Sequence, residues 1–401
     1  MLYFNSIFKA WVALRLFNFA FCSPGDKLPE FKDCLHQCRQ ISCFHNPYYL
    51  MQEEHRAALN KIDYKFKIDY KFKRYEPSWK FDLTIPFHLA VLFWDCKSNC
   101  DYQCQRIITK ERKDRGDEVY QFYGKWPFYR VFGIQEFFSA VFSVANFVPH
   151  YFGYQKIKKF QKTNPQEKAC LNPMMRNVKL VAIVTMCAWV CSTVFHIRDF
   201  LITERLDYYF AGLTVLTGCY AIGFRYLRLY LPSRRLYAWL WKFLCLGAYC
   251  AHIHRLTTDW LYTYNMRANI FVGIVQNIMW GLTCFSLYTK FYEHETGDDK
   301  AINLTHLNYV QTKQVLMQSF FAKSSKLFSL YPLVLCGIVI LGMSLEIFDF
   351  PPILSDLVDA HSLWHLVTVF PALFGWYDWM LWDINENVWD DLRSIQTKKD
   401  Q

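Results

Sequence analysis

Seven apolar runs of near-spanning length occupy the chain from about residue 132 onward, each set off by polar or charged residues. They cover about 135–153, 179–197, 208–225, 236–254, 267–289, 327–347 and 360–382, close to the roughly 20 residues an α-helix needs to cross a bilayer. Lipid offers backbone groups no water to bond, so the runs predict helices. The connections differ in charge. Lys156, Lys158, Lys159, Lys162, Lys168, Arg176 and Lys179 follow the first run, and Arg225, Arg228, Arg234 and Arg235 separate the third from the fourth. The positive-inside rule makes both connections cytosolic. The segment before the first run is then luminal, and seven crossings leave the C-terminus in the cytosol.

Residues 24 to about 130 contain no such run. They hold six cysteines in two triplets, Cys34-x3-Cys38-x4-Cys43 and Cys96-x3-Cys100-x3-Cys104. An even count in a luminal segment favours disulfides that staple the triplets together, and the missing CxxC spacing argues against a metal knuckle. Many pairings remain open. Between the triplets, Lys61-Ile62-Asp63-Tyr64-Lys65-Phe66 recurs as residues 67–72, with a partial alternation that suits a solvent-facing strand pair. At the start, Lys9 and Arg15 interrupt an apolar stretch, and Ala20-Phe21-Cys22 resembles a signal-cleavage site, with a retained anchor as the alternative.

The expected organisation is therefore a signal peptide at 1–22, a luminal disulfide-rich head at 23–131, an all-α seven-transmembrane core at 132–384 and a cytosolic tail at 385–401. That tail ends Lys398-Lys399-Asp400-Gln401, which resembles a dilysine signal for retrieval to the endoplasmic reticulum. The same topology leaves the Asn303-Leu304-Thr305 sequon cytosolic and unmodified.

Composition changes this picture little. Hydrophobic residues make up 53% and aromatic residues 19% of the chain, while mean hydropathy is only +0.01 because the head and loops dilute the runs. The net charge of +10 sits mainly in short inter-helix stretches. It forms no basic stripe, which argues against a nucleic-acid partner. Nothing in the sequence points to an oligomeric state.

Polar residues inside apolar helices are costly and so mark candidate chemistry. The second run carries Ser192-x3-His196, and the seventh opens with His361-x3-His365. Residues i and i+4 share a helix face, and two imidazoles so spaced can chelate one ion. The third run begins near Asp207, eleven residues after His196. All five groups fall at the luminal ends of their helices. Taken singly, each has a plainer explanation: Ser192 could bond back to a carbonyl, and Asp207 could cap its helix. Their shared depth favours a site. Three neutral imidazoles suit zinc (Zn2+), with a fourth position for water whose pKa falls towards about 7. Asp207 would take or orient the water's proton, and Ser192 would stabilise an oxyanion. Glu346, Asp349, Asp356 and Asp359 lie near the same level as candidate supporting groups. His252 and His254 face different sides of their helix and are expected at the interface. The chemistry expected is metal-assisted hydrolysis of a lipid ester or amide.

The segment Gln121-Phe122-Tyr123-Gly124-Lys125-Trp126-Pro127-Phe128, with Arg130, Gly133, Gln135-Glu136, Asn146 and Tyr264-Asn265-Met266, carries a family resemblance along essentially the whole chain. The chain resembles the GPI-anchor lipid-remodelling phospholipases, the Per1-like post-GPI-attachment-to-proteins factors. These belong to the CREST superfamily of seven-span metallohydrolases, with the alkaline ceramidases and progestin/adiponectin-type receptors. The resemblance matches Ser192, His196, Asp207, His361 and His365 to the superfamily's site positions. It implies removal of the sn-2 acyl chain from the phosphatidylinositol of GPI-anchored proteins. A ceramidase-like amidase, or a non-enzymatic receptor or GPI-protein chaperone, is the alternative on the same scaffold.

Overall fold

A computed structural model describes residues 23–46, 79–163, 169–293 and 320–400. The signal region, the 61–72 repeat and the Asn303 sequon lie outside the described residues. Those described are helical, with isolated β-bridges and no strand among them. They form two units, one built from residues of 21–137 together with 350–359, the other from 138–349 and 360–401.

The first unit rests on a helix pair, α1 (Pro29–Cys38) and α2 (Cys96–Asp114). Helix α1 buries Phe31, Cys34, Leu35 and Cys38, an i, i+3, i+4, i+7 stripe that gives it one apolar face. Asp95 caps α2 through Ser98 N–H at 2.8 Å, and Ser98 Oγ accepts the Asp95 N–H at 3.0 Å, a reciprocal capping box. The bridges are Cys34–Cys104, Cys38–Cys100 and Cys43–Cys96. One triplet therefore ascends as the other descends, as antiparallel helices require. The triplets differ by one residue in spacing, and the chain absorbs it in a π-helical turn over Arg39–Cys43. A π turn advances five residues where an α turn advances four, so Cys43 stays in line with Cys34 and Cys38.

Two tight turns follow, bridged at Phe122–Lys125 and Val131–Ile134. Each places an aromatic residue and a glycine at positive φ, Tyr123-Gly124 and Phe132-Gly133, the pattern of a type I′ turn. Arg130 stacks over Trp94 and Tyr102 and donates to Asn99 Oδ1 at 2.9 Å. Segment 350–359 joins this unit through Asp356. Its backbone oxygen accepts Tyr129 N–H at 2.9 Å, and its carboxylate pairs with Arg106 at 2.8 Å and with Lys113. Burial pushes the Asp356 carboxyl up, but the bonds from Lys113 and Arg106 outweigh it and hold the group below the ordinary aspartate range. A depressed carboxylate pKa stabilises the folded form above the unfolded value and loses that effect as pH falls through the folded one. Amide exchange across 350–359 is expected to stay slow at pH 5 and to accelerate only below the usual aspartate pKa. An Asp356→Asn variant should exchange fast at both.

The second unit contains α3 (Phe137–Thr163), α4 (Asn172–Ile197), α5 (Leu201–Tyr226), α6 (Arg235–Thr258), α7 (Tyr262–Glu293), α8 (Tyr331–Ile347), α9 (Ala360–Leu373), α10 (Trp376–Asp383) and α11 (Trp389–Asp400). Among the described residues, three stretches, Ala169–Ile197, Tyr262–Glu293 and Ser325–Ile347, are long and apolar enough to cross a membrane. The run expected as one helix over 360–382 is broken into α9 and α10. Pro371 lacks the donor a continuing helix needs, and Gly375 takes φ 104° at the start of α10. Helix α10 buries every residue from Tyr377 to Asp383, so it is interior on all sides. It approaches α3 closely, since a Cβ on Gly153 would lie 2.2 Å from the Tyr377 ring.

At the end of α10, Asp383 is buried against Arg225 of α5. Both carboxylate oxygens are engaged, by Nε at 2.6 Å and Nη2 at 2.8 Å, and Asn387 adds a third bond at 3.1 Å. No local spacing in the sequence predicts this pair, whose members lie 158 residues apart.

Candidate metal centre

The last turn of α4 carries Ser192 and His196, both buried, and the first turns of α9 carry His361 and His365. His361 and His365 are one helical turn apart, so their rings stack along one face with centroids 4.5 Å apart. The His196 ring meets them at 5.4 and 4.9 Å. One nitrogen from each ring lies within 4.8 Å of the others. One imidazole from α4 and two from α9, 165 or more residues further along the chain, thus converge on one point.

Hydrogen bonds orient two of them. His361 Nδ1 lies 2.8 Å from Glu346 Oε2 on α8, and Glu346 Oε1 accepts the Tyr262 hydroxyl at 2.6 Å. A carboxylate only accepts, so Nδ1 carries the proton. His365 Nδ1 lies 3.0 Å from Ser143 Oγ on α3, and Ser143 donates its one proton to the Ser139 carbonyl at 2.7 Å. The donor at His365 is therefore again Nδ1. Both rings then present Nε2 lone pairs, which face each other at 3.0 Å. Two lone pairs at that distance repel unless a cation lies between them. Tetrahedral zinc takes imidazole nitrogens at about 2.0–2.1 Å, which sets them about 3.4 Å apart. The three residues fit such an ion, and Glu346 and Ser143 supply the outer hydrogen bonds that metal-bound histidines ordinarily make. Replacing Glu346 with alanine is expected to weaken zinc binding by about 10–100-fold, with glutamine retaining part of the affinity, as read by competition with a chromogenic chelator.

Ser192 joins the same network, with its Oγ 3.2 Å from Ser143 Oγ. Asn146 fixes the backbone beneath His365, donating to its carbonyl at 2.7 Å. Asp207 does not cap α5: the N-cap is Phe200, and Asp207 lies half-buried in the second turn. Of the four acidic residues considered as support, Glu346 bonds to a site histidine, whereas Asp356 belongs to the ion pairs of the disulfide-rich unit. Ser143 and Tyr262 were missed in the sequence, and Asn146 stood there only among the residues that carry the family resemblance. Ser139-x3-Ser143 and Asn146 within an apolar run were legible as polar residues sharing a helix face.

The fold and site define a helical membrane protein with a disulfide-braced N-terminal unit and a cluster of three imidazoles, two of them buried, able to hold one metal ion. The profile of the Per1-like family matches residues 86–384, and the chain belongs to that family. It is 39% identical to Protein PER1 of Saccharomyces cerevisiae over 90% of its length and 91% of the relative's. It is 34% identical to the PER1 homolog of Schizosaccharomyces pombe, covering 91% and 88%. Identity is 28% with the GPI-specific phospholipase A2-like PGAP3 of Danio rerio, covering 94% and 95%. No solved structure matches the chain.

Proposed function

We propose that this protein is a zinc-dependent hydrolase that removes the sn-2 acyl chain from the phosphatidylinositol of GPI-anchored proteins. The observation that carries the chemistry is the pair of inward-facing Nε2 atoms 3.0 Å apart on His361 and His365, with His196 completing the set. The acyl substrate is supported by the names of the relatives, among them a GPI-specific phospholipase A2-like protein.

In this reading His196, His361 and His365 hold the ion, and Glu346 and Ser143 keep the two α9 rings turned towards it. Bound zinc would supply Lewis acidity and a water activated near neutral pH. Asp207 takes or orients the proton released during attack. Ser192 turns its hydroxyl from Ser143 towards the carbonyl oxygen, where it donates to the developing negative charge.

The protein is assigned seven spans in the endoplasmic reticulum membrane, with the site and the 23–131 head luminal, a core over 132–384 and a cytosolic tail over 385–401. The basic connections support that orientation. The test is purified protein in proteoliposomes with a GPI-anchored substrate. Mass spectrometry should show a lyso-anchor and a free fatty acid, lost with a zinc chelator and restored by zinc. Release of a sphingoid base from ceramide, with no change in the anchor, would instead establish an amidase.

A further inference from the structure

The disulfide-braced unit exposes apolar side chains where a water-soluble domain would bury them. Phe87 is 84%, Phe132 80%, Phe93 76% and Leu354 71% exposed. Three of these residues also hold left-handed backbone, with φ 58° at Phe93, 51° at Phe132 and 50° at Leu354. Bulky residues avoid that region, and the position of Phe132 in its turn ordinarily favours Asn or Asp. Backbone strain and exposed apolar surface are thus both tolerated at the same tips.

Three of the tips share one corner. A Cβ on Gly133 would lie 2.9 Å from Leu92 and 3.0 Å from Leu89. Its carbonyl accepts the Trp94 indole N–H at 2.9 Å. These contacts lock the Phe132 turn beside the short helix Phe87–Val91 and Phe93, so the outward aim of the rings is built in.

The chain connections indicate what covers these side chains. Phe132 lies shortly before Phe137, where α3 begins, and Leu354 lies between α8 and α9. Fully extended, the chain reaches at most about 18 Å from Phe132 to the start of α3 and about 25 Å from Leu354 back to Ile347, the end of a stretch apolar enough to cross a membrane. Separate projecting tips suit a fluid partner that fills in around each ring. A protein partner packs against a continuous, shape-complementary face.

We propose that Phe87, Phe93, Phe132 and Leu354 form a membrane-inserting edge that seats the disulfide-rich unit in the adjoining lipid leaflet. This rests on the membrane-spanning reading given under the proposed function. Phe and Leu are usual side chains on the lipid-facing side of a segment that lies in the interface.

The test uses the full chain in phosphatidylcholine vesicles containing a radiolabelled lipid, with p-benzoylphenylalanine placed singly at position 87, 132 or 354. Ile340, exposed on α8, is the reference inside the spanning region, and Lys32, exposed on α1, is the hydrated reference. After irradiation, positions 87, 132 and 354 should give lipid adducts comparable to position 340, with only background at position 32. Lipid labelling at 340 but not at the three tips overturns the edge and leaves the membrane reading intact. Labelling at none of the positions, 340 included, overturns both. A protein adduct at 132 in place of lipid assigns the surface to a protein partner and also overturns the proposal.

Discussion

Replacing His361 with alanine is expected to abolish metal binding and anchor remodelling together. His361 contributes one of the three converging nitrogens, and its Nε2 lies 3.0 Å from that of His365. Loss of an outer hydrogen-bond partner alone typically costs about 10–100-fold in affinity or activity, so loss of a ligand should exceed 100-fold. The same outcome is expected for His196→Ala, whose ring is buried at 1% exposure against both partners. Cells carrying either variant should retain unsaturated diacyl anchors on their GPI proteins, as read by lipid mass spectrometry, while the protein still accumulates. Normal anchors in those cells would refute the metal-centre reading. Ser192→Ala should behave differently, keeping zinc while losing rate, because the hydroxyl reaches the histidines only through Ser143.

The second large effect lies away from the histidines. Asp383→Ala should destabilise the protein by about 3–5 kcal/mol, because it leaves a buried guanidinium without its counter-charge. The Arg225 and Asp383 side chains are 6% and 0% exposed, so solvent screening offsets little of this. The double variant Arg225→Met, Asp383→Leu should recover most of the loss, since paired burial of charges often contributes no net stability over apolar packing. Thermal unfolding in detergent, followed by intrinsic tryptophan fluorescence, would separate the two cases. A double variant as unstable as Asp383→Ala would mean that the pair itself, not the orphaned charge, sustains the packing of α10.

The legible parts of the site were those written in local spacing. Ser192-x3-His196 and His361-x3-His365 each place two groups on one helix face, and the structure brings the four residues together. The bracing of the head was legible as well, since two cysteine triplets in a chain of this kind imply bridges. Which cysteine meets which was not. The order depends on antiparallel helices and on a π turn at Arg39–Cys43, neither of which a cysteine count encodes.

Sequence alone determined that the described core is helical and which polar side chains share a helix face. Runs of apolar residues specify helices because lipid leaves backbone groups no other partner, and i, i+4 spacing groups side chains within a helix. Only the tertiary structure decided what those groups face. It set Glu346 against His361, added Ser143 and Tyr262, placed Asp207 in the second turn of α5 and split the last apolar run at Gly375. It also paired Arg225 with Asp383 across 158 residues. The reason is common to all of these. Periodicity reports the direction of a side chain relative to its own helix axis, whereas a partner depends on how separate helices pack and rotate against each other. Contacts between distant residues set that packing.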